Sequence, residues 1–309
     1  MTLSIPERPE GITEGPGSTV FVSQIISGKV LEIDVLTGEQ KEVVGAQVDR
    51  QAWGLWYLDG MIFVAGGGPS FGGGTPEVYV YNVATGESVV ACQPEALNGF
   101  GAFINDVTVH DGVAYATDSV NGKLMAMDVV KAFNGSCDVW AVDLPDNFDP
   151  VEADDFGANG VVSYADGLLI AHEVDGSVWH VGNLGRETNV TFQEVIADGG
   201  AAWADGLTIK GDMLYVTQNL ENLIGVFELS VDNDIIKTTF ANNLTSPDFY
   251  TPATSAIYGD YIYSTNSRFA DLPEITEPAN NTVIGIRLMT ETETSKAIVT
   301  TVTVSVPAL

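Results

Sequence analysis

One short pattern, a tight-turn pair followed by an alternating apolar run, occurs six times along this chain of 309 residues. The copies are Gly17-Ser18-Thr19-Val20-Phe21-Val22, Asp59-Gly60-Met61-Ile62-Phe63-Val64, Asp111-Gly112-Val113-Ala114-Tyr115-Ala116, Asp166-Gly167-Leu168-Leu169-Ile170-Ala171, Gly211-Asp212-Met213-Leu214-Tyr215-Val216 and Gly259-Asp260-Tyr261-Ile262-Tyr263-Ser264. Asp-Gly and Gly-Asp pairs supply the positive φ that tight hairpins need, so each following run reads as the second strand of an antiparallel unit. A third strand follows in most copies, as in Lys29–Asp34, Glu77–Asn82, Lys123–Asp128 and Ser177–Val181, and then a fourth such as Ser88–Ala91. No stretch of the chain shows a clean helical period. Four strands repeating at roughly 43 to 55 residues predict an all-β chain, a six-bladed β-propeller with four antiparallel strands per blade, forming one domain over residues 1–309. The rival, two stacked β-sandwiches, needs a linker or composition break near the middle, and the sequence has none.

The innermost strand of each unit should begin a few residues before the turn. Aligning those segments gives Pro9-Glu10-Gly11-Ile12, Ala52-Trp53-Gly54-Leu55, Ile104-Asn105-Asp106-Val107, Ala158-Asn159-Gly160-Val161, Ala204-Asp205-Gly206-Leu207 and, less cleanly, Ala253-Thr254-Ser255-Ala256. One column is polar in five of the six copies. Equivalent positions of a propeller face one axis, so Glu10, Asn105, Asn159 and Asp205 are expected to converge on the tunnel. Two carboxylates and two amides offer the hard oxygens that Ca²⁺ prefers, with Mg²⁺, Mn²⁺ or Zn²⁺ as the other candidates. Zinc is disfavoured, because His110, His172 and His180 lie outside the column. The plain alternative is that Asn-Gly and Asp-Gly here are only turn dipeptides.

In the order and spacing of Pro9-Glu10-Gly11-Ile12, Phe103-Ile104-Asn105-Asp106-Val107, Gly157-Ala158-Asn159-Gly160-Val161 and Ala204-Asp205-Gly206-Leu207, the chain resembles the SMP-30/gluconolactonase/LRE-like family of six-bladed propellers. That family includes lactonases and, more distantly, diisopropyl-fluorophosphatase-like phosphotriesterases. The resemblance implies that Glu10, Asn159 and Asp205 bind a catalytic divalent ion, usually calcium, with Asn105 as a further ligand or substrate contact. It also implies Asp205 as the general base or nucleophile. The chain departs from the pattern at Trp53, at the small hydroxyl residues of the sixth unit, and in having no obvious basic counterpart to the sugar-binding residue of the sugar lactonases.

The expected reaction is hydrolysis of a lactone or ester: the ion polarises a carbonyl or phosphoryl oxygen, and a water on the ion or activated by Asp205 attacks. Aromatic residues precede several inner strands, namely Trp53, Phe100, Phe103, Phe156, Trp203, Phe249 and Tyr250, and an aromatic mouth would favour a hydrophobic or aromatic substrate. His172 could face the tunnel or serve as a wall residue. The glycine-rich stretch 65–74 lacks the Gly-Lys-Ser/Thr end of a phosphate loop and reads as a lid that carries Phe71, or as a plain solvent loop. No Gly-x-Ser-x-Gly elbow, cysteine nucleophile motif or His-Glu-x-x-His helix is present. The acids between Asp143 and Asp155 read as a solvated loop. The alternative function is a non-hydrolytic propeller, a ligand-binding protein or a biosynthetic isomerase or cyclase, with a structural tunnel ion.

Charge limits the partners. Acids number 42 and bases 12, giving −30, so phosphate-rich partners such as nucleic acid and anionic membranes are not expected. A small-molecule substrate fits this field better, and the oligomeric state is left open. No apolar run is long enough to span a membrane and the first residues do not read as a secretory signal. Sequons at Asn134, Asn189, Asn243 and Asn280 lean toward a secreted or extracytoplasmic setting, with the cytoplasm as the alternative. Cys92 and Cys137 could form a disulfide or stay thiols.

Overall fold

A computed structural model describes residues 1–48, 50–67, 76–93, 102–148, 156–186, 189–269 and 281–288. At the second turn pair φ is 48° at Asp59 and 82° at Gly60, the left-handed geometry of a two-residue hairpin between Leu58 and Met61. Two-residue hairpins also join the first and second strands at Asp111-Gly112, Gly211-Asp212 and Gly259-Asp260; in the fourth unit the turn is Ala165-Asp166, one residue earlier than the expected Asp166-Gly167, and in the first it is a longer turn over residues 15–18. All of these turns lie on one face of the molecule, called the lower face below.

The resulting sheets are the six predicted blades. Blade one holds β2 (Pro9–Glu14), β3 (Thr19–Gln24), β4 (Lys29–Asp34) and β5 (Gln40–Val44). Blade two holds β6 (Leu55–Leu58), β7 (Met61–Ala65), β8 (Val78–Asn82) and β9 (Ser88–Cys92). Blade three holds β10 (Ile104–His110), β11 (Val113–Asp118), β12 (Lys123–Asp128) and β13 (Val139–Asp143). Blade four holds β14 (Ala158–Tyr164), β15 (Gly167–His172), β16 (Val178–Gly182) and β17 (Thr191–Ile196). Blade five holds β18 (Ala204–Lys210), β19 (Met213–Gln218), β20 (Leu223–Asp232) and β21 (Ile235–Thr245). Blade six holds β22 (Pro252–Tyr258), β23 (Tyr261–Asn266) and β24 (Thr282–Arg287), and its fourth strand is β1 (Thr2–Ser4). The N-terminal strand therefore closes the ring, through Thr2 opposite Ile284, Leu3 opposite Val283 and Ser4 opposite Thr282.

The core lies between blades. Ile12, Leu55, Val107, Val161 and Leu207, at one equivalent position of five inner strands, fall into five different apolar clusters. Each is at most 5% exposed, so each contributes about 1.5–3 kcal/mol of burial. A short helix α1 (Val129–Phe133), capped by the Asp128 carboxylate on Lys131 N, interrupts blade three and leads to Cys137. Cys137 is bonded to Cys92, tying the outer edge of blade two to blade three, so the two cysteines resolve as a disulfide. Within the acidic stretch, Asp143 pairs with Lys123 and Asp146–Phe148 forms a single 3-10 turn; residues 149–155 lie outside the described part.

Five of the six inner strands carry a bulge just after they begin, between Pro9 and Ile12, Ile104 and Val107, Ala158 and Val161, Ala204 and Leu207, and Pro252 and Ser255. There the strands approach so closely that a side chain would collide with the neighbour's backbone. A Cβ on Gly160 would stand 2.1 Å from Asp205 O, and one on Gly206 would stand 2.7 Å from Thr254 Cα. Glycine at these positions is a requirement of contact between blades.

Candidate metal centre in the tunnel

Four of the bulges deliver the second residue of their inner strand to the tunnel, at the end away from the hairpins. Glu10, Asn105, Asn159 and Asp205 are all 2–3% exposed there. A recurring second contact orients three of them. Asn105 Nδ2 donates to Ser119 Oγ (3.0 Å), Asn159 Nδ2 to Glu173 Oε2 (2.7 Å), and Asn219 Nδ2 donates to Asp205 Oδ2 (3.3 Å), each pair separated by 14 residues. The partner is always the residue just past, or soon past, the second strand of the same blade. With both amide nitrogens engaged outward, Oδ1 remains as the acceptor that Asn105 and Asn159 offer.

Glu10 belongs to blade one but is held by blade six: Thr254 Oγ1 donates to Glu10 Oε1 (3.4 Å) and Thr265 Oγ1 to Glu10 O (2.6 Å). Its other carboxylate oxygen, Oε2, is buried and has no hydrogen-bond partner among the described residues. Burial, reinforced by the Asp106 and Glu173 carboxylates, holds the Glu10 pKa well above the usual range, with the Thr254 hydroxyl offsetting part of it. Asp205 is raised in the same way by burial and by Glu10 and Glu173, against the Asn219 hydrogen bond. Two buried acids that repel one another and have no cationic partner among the described residues strongly favour a proton or a cation between them.

The register corrects the sixth copy by one residue. Pro252 faces Asn266 as Ala204 faces Gln218, and Ser255 faces Ser264 as Leu207 faces Val216. Ala253 therefore holds the ligand position, and Thr254 stands with the glycines, its N–H donating to Thr265 Oγ1 as Asp106 N donates to Thr117 Oγ1. The column is polar in four copies, not five. Similar Ala-x-x-small spacings on either side of the bulge make the two alignments indistinguishable in sequence.

Two acids were missed as members of the cluster. Asp106 is the one charged side chain in the glycine column; it occupies the space beside Gly54, whose Cβ would lie 2.2 Å from Asp106 Oδ1. Its Oδ1 accepts from Val107 N (2.8 Å) and its Oδ2 from Val161 N (3.0 Å), bridging blades three and four. Burial raises its pKa to about 7 despite those two bonds. Glu173 is found only through the 14-residue offset from Asn159, a spacing that becomes informative once the blade register is known.

The expected aromatic mouth is smaller than the sequence implied. Trp53 (5% exposed) and Phe103 (fully buried) pack edge to face at 4.8 Å in the cluster between blades two and three, with Phe156 stacked on Phe103 at 5.0 Å. Asp118 holds this arrangement by accepting from Phe103 N. Phe249 is also buried, whereas Trp203 is half-buried and Tyr250 is exposed beneath the Arg268 guanidinium at 5.0 Å. Trp203 has φ 57°, an uncommon conformation for a bulky residue, one position before the strand that carries Asp205. His172 is a wall residue: Nε2 bonds Asn147 O (2.8 Å), Nδ1 accepts from Asp175 N (3.3 Å), and its ring lies against Phe148. Phe71 and Phe100, with most of the glycine-rich stretch, lie outside the described residues.

No three His, Cys, Asp or Glu side chains form a metal cluster by themselves among the described residues. The tunnel set has two acids at its ligand positions and depends on the two asparagine oxygens to complete a coordination sphere. Its hard-oxygen chemistry and the unpartnered Glu10 Oε2 fit a divalent cation such as calcium.

Fold and site together define a six-bladed propeller with acids and amides gathered in its tunnel. Comparison with solved structures agrees on the fold. The chain is similar to a calcium-binding protein, regucalcin, from Agrobacterium tumefaciens (15% identity, 91% of this chain and 90% of that one, TM-score 0.63). It is also similar to a luciferin-regenerating enzyme (12% identity, 92% and 93%, TM-score 0.63) and to a streptogramin B lyase (15% identity, 85% and 92%, TM-score 0.56). No family model and no curated protein matches the sequence. At these identities the likeness establishes the propeller and leaves the chemistry to the site.

Proposed function

We propose that the protein is a divalent-cation-dependent hydrolase, with calcium the first candidate, acting on a lactone or ester that has a hydrophobic or aromatic portion. The observation that carries this reading is the pairing of Glu10 and Asp205, buried acids from blades one and five with no cationic side chain beside them among the described residues, flanked by two oriented asparagines. Glu10, Asn105, Asn159 and Asp205 would hold the ion, which supplies Lewis-acid polarisation of the substrate's carbonyl oxygen. Asp205 accepts the proton of the attacking water, and Asn219 fixes the carboxylate oxygen that is not used for this. Ser119 and Glu173 keep the amides turned so that their oxygens serve as ligands. Trp203 and Tyr250 provide the apolar surface for the substrate at the mouth.

The test is a panel of aromatic and aliphatic lactones and esters, including phosphotriesters, assayed with calcium, with chelator and after Asp205→Asn. Hydrolysis that needs the cation and is lost in a folded Asp205→Asn protein supports the reading. A second reading, a binding protein or non-hydrolytic enzyme with a structural ion, is favoured by the burial of Trp53 and Phe103, which removes two aromatics from the mouth. It predicts that Asp205→Asn lowers the Tm in calcium and that no member of the panel is hydrolysed. The Cys92–Cys137 bond supports an extracytoplasmic setting, since such bonds persist in oxidising compartments.

A further inference from the structure

The tunnel holds a chamber on the hairpin side of the candidate metal centre. A cavity of about 360 Å³ is lined by residues from all six inner strands, on the hairpin side of the bulges. None of Glu10, Asn105, Asn159 or Asp205 lines it, but Asp106 and Thr254, which interact with Glu10, form its inner end, so it adjoins the candidate metal centre on the hairpin side. Its wall at the bulges consists of Ile12, Leu55, Val107, Val161 and Leu207, with the Asp106 carboxylate reaching between them from the glycine ring. Toward the lower face the lining changes to Trp56, Tyr57, Thr208 and Glu14. Thr208 is committed, donating to Ser255 O across blades five and six. The volume lies within the range of small-molecule sites, and among the described residues its wall carries two carboxyl side chains, Asp106 at the inner end and Glu14 at the mouth.

We infer that this lower chamber binds a small organic cation, an ammonium group on a short apolar or aromatic body. The apolar wall and the two aromatics would take the body. Glu14 and the strongly negative field of the chain would select the charge. Lys210 lies close enough to influence Glu14, but its ammonium donates to Gly259 O and so is held at the blade-six turn. Anions of the same shape should be rejected, because no cationic side chain is among the described residues of the wall and Glu14 at the mouth repels them. The chamber lies below the four candidate ligands and shares Asp106 and Thr254 with their surroundings.

The experiment uses 4-bromophenethylamine as probe and 4-bromophenylacetate as its anionic counterpart, on the full chain in chelator and again in calcium. Calorimetry should show one amine site in both conditions and none for the carboxylate. Crystals soaked in the amine should place the bromine anomalous peak beside Leu207 and Val161, below the bulges. Glu14→Gln, a change at the mouth that leaves the core intact, should weaken the amine about tenfold. Absence of amine binding at millimolar concentration, equal binding of the carboxylate, or a bromine peak confined to the upper mouth overturns the inference. Because the amine is titrated both in chelator and in calcium, loss of lactone hydrolysis would leave this result untouched, and the reverse also holds.

Discussion

The two halves of each inner strand meet opposite requirements. In β10 the first half holds Asn105 and Asp106 at a bulge and buries a carboxyl whose pKa is raised to about 7, whereas the next residue, Val107, sits in a regular ladder and an apolar cluster. The same change from bulged and polar to regular and apolar occurs in β2, β14 and β18. The lesson is a division of labour along one strand: the second half stabilises the ring, and the first half spends part of that stability to hold oxygens where they repel each other.

Substitution at Asp205 separates the halves most sharply. Asp205→Asn should lower hydrolysis by about 10²–10⁴-fold, the usual worth of a positioned base, while the metal-free protein melts no lower than wild type. A large drop in the metal-free Tm would show instead that the acid supports the fold. Glycines provide the next contrast. Gly160→Ala, which forces a Cβ onto the Asp205 carbonyl, should cost about 3 kcal/mol. Gly60→Ala, at an open hairpin with φ 82°, should cost only about 1 kcal/mol, from backbone strain alone. Denaturant titration of both variants reads the difference, and equal costs would remove the argument for contact between blades.

A pH dependence follows from the acids of the first halves. Glu10, Asp106 and Asp205 are raised in the folded state, so the native protein binds more protons than the unfolded chain once pH exceeds about 4. Metal-free stability should therefore fall as pH rises from about 4 to 7. Calcium should restore it most at the upper end, where it faces no competing protons. Glu10→Gln should flatten the metal-free slope; a slope unchanged in that variant would mean that Glu10 is not a contributor. The smallest effect belongs to the mouth. Tyr250→Ala should raise KM for aromatic esters severalfold with kcat nearly unchanged, as loss of uniform binding does.

Much of the ring was legible because turn chemistry and alternation are local. Asp59-Gly60 announces its hairpin, and the column through Glu10, Asn105, Asn159 and Asp205 can be read from spacing alone. What escaped depends on contacts between blades. The sixth copy slid by one position because Ala253 and Thr254 are both small, and only pairing with Asn266 and Ser264 decides between them. Asp106 looked like a neighbour of Asn105, and its bridge to Val161 exists only once blade four is beside it. Aromatics before a strand can face solvent or the next blade, and the sequence does not separate Tyr250 from Phe103.

Closure of the ring by β1 has a consequence in time. Glu10 follows that strand by a few residues and takes its hydrogen bonds from Thr254 and Thr265, which are synthesised more than 200 residues later. During translation the first ligand emerges early and must wait for the last blade before its surroundings exist. The surroundings of Glu10 are therefore completed in a single late event, when β1 pairs with β24, and a chain without blade six gains none of them in proportion to the blades already made.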